Sequence, residues 1–167
     1  MRKNLANIIT STRILGTLCL IFLTPLTLPF FVVYIWCGLS DVLDGFVARK
    51  LKIISSFGSK LDSVSDLLFY TVMMLKIWSF LREGLPQYIW ILIYVVLGIR
   101  FLCYVYVGIR DHRFTSRHTI LNKINGGMMF LLPFAVKTPY LIPYSLLILL
   151  VAYISTFNEV WYIIRGK

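Results

Sequence analysis

Four aspartates, Asp41, Asp44, Asp62 and Asp66, fall within 26 residues where one apolar segment gives way to the next. The run reads Asp41-x-x-Asp44-Gly45-x-x-Ala48-Arg49, then eight residues, then Gly58-x-x-x-Asp62-x-x-x-Asp66. A carboxylate in or beside a membrane span is costly and marks a functional site by default. On helices, Asp41, Gly45 and Arg49 form one i,i+4 stripe, with Asp44 and Ala48 beside it. Gly58, Asp62 and Asp66 form a stripe on the next helix. Four acids converging between two helices repel one another unless cations sit among them. Oxygen-only ligands select hard cations, above all magnesium or manganese.

The elements that must position these acids are apolar helices. The chain has 167 residues, 59% hydrophobic and 14% charged, with a positive mean hydropathy. That composition defines a polytopic membrane protein and leaves no room for a separate soluble domain. The expected fold is all-α, one membrane domain over residues 1–167 with six transmembrane helices. Each approaches the ~20 residues a span needs. The spans are expected at about 8–23, 29–47, 58–80, 87–108, 120–136 and 143–164. Residues 1–7 form a short basic interfacial lead. The first apolar run has no A-x-A-like cleavage site and reads as a retained helix rather than a signal peptide. Cys19, Cys37 and Cys103 lack metal-ligand spacing and read as small buried apolar residues.

Net charge is +10, and its placement gives an orientation. With both termini in the cytoplasm, 13 of the 17 basic residues fall on the cytoplasmic side, as the positive-inside rule requires. The aspartates then lie at the cytoplasmic end. No aromatic–basic nucleic-acid motif is present, and nucleic acid is not an expected partner. An anionic membrane surface and phosphorylated substrates account for the charge.

The acidic run resembles the signature of the CDP-alcohol phosphatidyltransferases, D-x2-D-G-x2-A-R-x8-G-x3-D-x3-D, with every fixed position present at the family spacing. The resemblance implies a membrane enzyme of phospholipid synthesis. It would transfer a phosphatidyl group from CDP-diacylglycerol to an alcohol and release CMP. It implies Asp41, Asp44, Asp62 and Asp66 as ligands of two Mg2+ or Mn2+ ions per site, with Asp66 also the catalytic general base. Two such ions clamp a diphosphate and stabilise the leaving phosphate. Gly45, Ala48 and Gly58 leave room for the nucleotide to approach the helix backbones, although small residues also serve plain helix packing. Arg49 is expected on the nucleotide or diphosphate, against a competing reading as a snorkelling arginine. The start Asn7-x-x-Thr10-x-x-Arg13 also resembles the family, which places Asn7 and Thr10 along the CDP site. Helix capping and interfacial anchoring compete for those two.

Arg110, Arg113, Arg117 and Lys123, with His112 and His118, lie between the fourth and fifth spans. Arginine holds phosphate oxygens in a fork, so these four cations are candidates for an acceptor phosphate. Plain topology charge is the competing reading. Arg100 lies mid-span and needs a partner, either the cavity or Glu159. The short chain, its N-terminal start and the basic loop look most like the bacterial members that use glycerol 3-phosphate. Their G-K-x-K-T run is replaced here by Ser116-Arg117-His118-Thr119. Inositol phosphate, serine and phosphatidylglycerol are the alternative acceptors. The resemblance further implies a homodimer in a bacterial cell membrane, its site facing the cytoplasm. Small residues such as Gly98 and Ala152 are available for helix contacts. A divalent-cation channel lined by the same acids is the rival class. It leaves Gly45, Ala48, Arg49 and Gly58 without a role, and a membrane scaffold would need no converging carboxylates.

Overall fold

The computed structural model describes residues 5–51, 56–111 and 120–164. Its description of side chains excludes residues 5–9, 42, 44–51, 56–60, 108, 110, 111, 162 and 164. Six helices follow one another: α1 (Leu5–Phe22), α2 (Leu28–Leu51), α3 (Ser56–Gly84), α4 (Gln87–Asp111), α5 (Ile120–Ala135) and α6 (Leu141–Ile164). No strand occurs among the described residues. Prolines punctuate the chain where they cost least. Pro29 and Pro143 sit in the first turns of α2 and α6, and Pro86 immediately precedes α4. In a first turn the missing N–H has no helical acceptor to lose.

Two differences from expectation concern the membrane. The basic lead does not extend to residue 7, because Leu5 already belongs to α1; residues 1–4 lie outside the described ones. Of the six expected spans, three described stretches are both long and apolar enough to cross a bilayer: Leu61–Gly84, Gln87–Val107 and Leu141–Trp161. Where side chains are described, α1 and α2 contribute the apolar Thr10–Phe22 and Leu28–Asp41, each bounded at one end by residues whose side chains lie outside the description. Over their full lengths α1 has 18 residues and α2 has 24. α5 has 16 described residues, and residues 112–119 before it lie outside the described ones.

The chain forms two compact units, Met1–Ser79 and Phe80–Lys167, with the division inside α3. In the first unit each helix buries one stripe at helical spacing. α1 buries Thr10, Arg13, Thr17 and Leu20; α2 buries Phe30, Tyr34, Cys37 and Ser40; α3 buries Ser65, Phe69, Met73 and Ile77. Tyr34 stacks between Phe30 and Phe69, at centroid distances of 5.8 and 5.2 Å. At the far end of α1, Lys76 of α3 donates to the carbonyls of Ile21 (2.6 Å) and Leu23 (2.9 Å). It thereby satisfies helix-end acceptors that lack intrahelical donors. The α1–α2 turn holds Leu26 at φ 61°, and Thr27 accepts the first α2 bond from the Phe31 N–H at 3.0 Å.

In the second unit, α6 packs against both α4 and α5. A polar knot joins the three. Arg100 donates to Thr156 Oγ1 (2.9 Å) and Asn122 Oδ1 (3.0 Å), and Ser155 donates to the same Asn122 oxygen (2.6 Å). Arg100 therefore pairs with neutral oxygens, and no ion pair to Glu159 occurs among the described residues. Pro133 lies inside α5 and leaves the Met129 carbonyl without its helical donor. Tyr144 donates to the adjacent Met128 carbonyl at 2.8 Å. Of the cysteines expected to be buried, Cys37 is, Cys103 is half-buried and Cys19 is exposed.

Close approach of α1 to α2 depends on Gly16. A Cβ there would lie 2.6 Å from Cys37 Sγ and 3.7 Å from Val33 Cγ1. Gly16→Ala is expected to destabilise the protein by about 1–3 kcal/mol through overpacking. Cys37→Ala in the same chain should restore most of that loss, because it vacates the clashing volume. Thermal unfolding of the four corners of this double-mutant cycle in mild detergent checks it; additive losses would show that the contact is not the cause.

Candidate metal and phosphate site

Three of the four carboxylates expected to converge, Asp41, Asp62 and Asp66, do so on an arginine. Asp62 and Asp66 flank the buried stripe of α3, one turn apart around Ser65, and Asp41 follows buried Ser40 on α2. Placed at the stripe edges, their side chains remain about half exposed, at 47% for Asp41, 44% for Asp62 and 42% for Asp66. Arg13 lies on the central stripe of α1, and its side chain is only 1% exposed. One oxygen from each of the three aspartates falls within 4.8 Å of the others.

The guanidinium fills the inner side of this triad. Arg13 Nη1 donates to Asp41 Oδ1 and lies 2.9 Å from Asp66 Oδ1; Nη2 donates to Asp62 Oδ1; Nε donates to Ser65 Oγ at 2.9 Å. Planar donors in a fixed fork can serve several oxygens at once, which a lysine ammonium cannot do with the same geometry. The base of the side chain is also fixed. The Arg13 carbonyl accepts from Thr17 Oγ1 (2.8 Å) and from Cys37 Sγ (3.8 Å). All these groups lie in the first unit.

The donor set suits a hard divalent cation: three carboxylates, no thiolate or imidazole among them, and a solvent-open side on each. Asp41, Asp62 and Asp66 are the described residues that would hold it.

Other expected site residues fall as follows. Thr10 is buried on α1, one turn before Arg13. Asn7 belongs to α1, Asp44, Gly45, Ala48 and Arg49 to α2, and Gly58 to α3, but their side-chain surroundings lie outside the described residues. Arg110 ends α4 with its side chain undescribed, and Arg113 and Arg117 lie wholly outside the described residues. Lys123 is exposed in the first turn of α5. Arg13 and Ser65 were not among the expected site residues. Both had a signal: Arg13 is a charge inside an apolar run, and Ser65 is a polar residue adjoining an aspartate on a buried stripe.

The chain belongs to the CDP-alcohol phosphatidyltransferase family, whose model matches residues 3–163. It is thus a transferase of phospholipid synthesis, set in a membrane. Similar proteins include the CDP-diacylglycerol–glycerol-3-phosphate 3-phosphatidyltransferases of Rickettsia typhi and Rickettsia prowazekii. Each is 28% identical over 71% of this chain, which corresponds to 71% and 70% of the two relatives. No solved structure matches the chain.

Ser65 is fully buried and supplies the one neutral acceptor described for the Arg13 head group. Ser65→Ala leaves a buried charged N–H without that acceptor. It should cost about 1.5–3 kcal/mol, the range for hydrogen bonds to charged groups. Chemical unfolding of the detergent-solubilised protein without divalent cation measures this; a loss under about 0.5 kcal/mol would mean that Nε has another acceptor.

Proposed function

We propose that this protein transfers the phosphatidyl group of CDP-diacylglycerol to glycerol 3-phosphate. The observation that carries the reading is the convergence of motif aspartates from α2 and α3 on one cation-binding point, in a chain of this family. The relatives' activity supports glycerol 3-phosphate as the acceptor. In this proposal residues 1–167 act as one catalytic membrane domain with six membrane-embedded helices. Both termini and the aspartates face the cytoplasm of a bacterial cell.

Asp41, Asp44, Asp62 and Asp66 hold two Mg2+ or Mn2+ ions, which when bound neutralise the diphosphate and favour departure of CMP. Asn7, Thr10, Asp44, Gly45, Ala48, Arg49 and Gly58 bind the CDP moiety. The acceptor hydroxyl gives its proton to Asp66 as its oxygen forms a bond to the lipid-side phosphorus. The bond from that phosphorus to the CMP oxygen breaks, and CMP leaves. Arg110, Arg113, Arg117 and Lys123 hold the acceptor's phosphate. The homodimer implied by the resemblance belongs to the same proposal. Of the two small residues set aside for contacts, Ala152 is already buried within the chain, whereas Gly98 has open space beside it on a span that is only 11% buried.

The deciding experiment supplies purified protein with CDP-diacylglycerol, magnesium and a panel of alcohols, and follows CMP. Glycerol 3-phosphate should give turnover, and excess chelator should abolish it until magnesium or manganese is returned. Turnover only with serine or inositol phosphate would replace the acceptor, and full activity in chelator would remove the metals.

Asp66→Asn keeps the shape of the side chain and removes the base. Turnover should fall by about 10²- to 10⁴-fold while CDP-diacylglycerol binding is retained. Single-turnover kinetics beside a donor-binding assay separates the two effects. Neutralising Arg113 or Arg117 should raise the KM for glycerol 3-phosphate and spare that for CDP-diacylglycerol. A loss of about 10- to 150-fold in acceptor efficiency corresponds to one charge-assisted contact.

A further inference from the structure

We infer that Arg13 is a resident counter-cation of the carboxylate site: it keeps Asp41, Asp62 and Asp66 assembled before any metal arrives and weakens the binding of the metal that follows. The inference rests on the proposed metal reading and goes beyond it, because it concerns how the site exists without its ion. Three carboxylates with oxygens within 4.8 Å of one another repel strongly in a partly apolar setting. Without a resident cation that repulsion would oppose assembly of the first unit until a metal bound or a proton was taken up.

Arg13 removes that dependence. It meets Oδ1 of each aspartate. It does so from the buried side, at 1% exposure, while the carboxylates stay 42–47% exposed on the other. Both the guanidinium and an incoming dication draw on the same negative charge. Each therefore lowers the other's gain, whether Arg13 stays in place or withdraws. Its fixed carbonyl, held by Thr17 and Cys37, keeps the arginine's base at the site in either case.

The test is a cycle in which the metal serves as the second change. Wild type, Arg13→Met and Arg13→Lys are each melted in mild detergent, in chelator and in excess magnesium. Mn2+ binding is measured by electron paramagnetic resonance with no substrate present. Methionine removes the charge and keeps an unbranched chain; lysine keeps the charge.

Arg13→Met should be much less stable than wild type in chelator and should recover most of the loss in magnesium. It should bind Mn2+ at least about tenfold more tightly. Arg13→Lys should respond to metal much as wild type does. If Arg13→Met does not fold in chelator, preparation in magnesium should rescue it, and failure to fold even there overturns the inference. An equal loss of stability with and without metal would make Arg13 a packing residue only. Weaker Mn2+ binding in Arg13→Met would make it a part of the metal site rather than its competitor; either result overturns the inference. Wild type that binds no Mn2+ would refute the metal reading itself and this inference with it, so the two failures are distinguishable.

Discussion

A guanidinium can be buried in an apolar helix bundle only if its charge is balanced and its donors are used. Arg13 meets both conditions with groups from α2 and α3, so none of the three helices can satisfy it alone. The carboxylates have the opposite difficulty, since their mutual repulsion opposes the cluster and a positive group offsets it. Fold and site in the first unit are therefore one electrostatic problem with one solution. Aliphatic and aromatic contacts along the same three stripes then fix the helices that carry it.

The second unit handles a cation differently. Arg100 has no carboxylate among its described contacts and relies on a hydroxyl and an amide oxygen, themselves shared with Ser155 and the α6 backbone. Neutral partners of this kind tie helices together through hydrogen bonds without gathering charge. The contrast separates an acidic cluster gathered around a cation from a joint between three helices.

Much of this was legible in the sequence. The helix boundaries lie within a few residues of the apolar runs, because Thr24-Pro25, Gly84-Leu85-Pro86 and the prolines opening α2 and α6 bound those runs physically. The spacing put Asp62 and Asp66 on one face of α3, since i,i+4 positions on a helix share a face, and Asp41 meets them from α2. Arg13 escaped for an equally physical reason. A positive charge near the start of a membrane chain also satisfies the orientation rule, so its position alone does not reveal what it faces across helices.

The ammonium of Lys76 has a mechanical consequence when set beside Arg13. α1 is fastened to α3 at two levels: through Arg13 to Ser65, Asp62 and Asp66, and through the Ile21 and Leu23 carbonyls to Lys76. Between the fastenings α1 rises about 12 Å and α3 about 15 to 20 Å. A helix bolted at two heights cannot slide lengthwise past its neighbour without shearing both joints. It can still rock about the line through them. A motion of the first unit that keeps both joints would then be a turn about that line, with little displacement at either end of it.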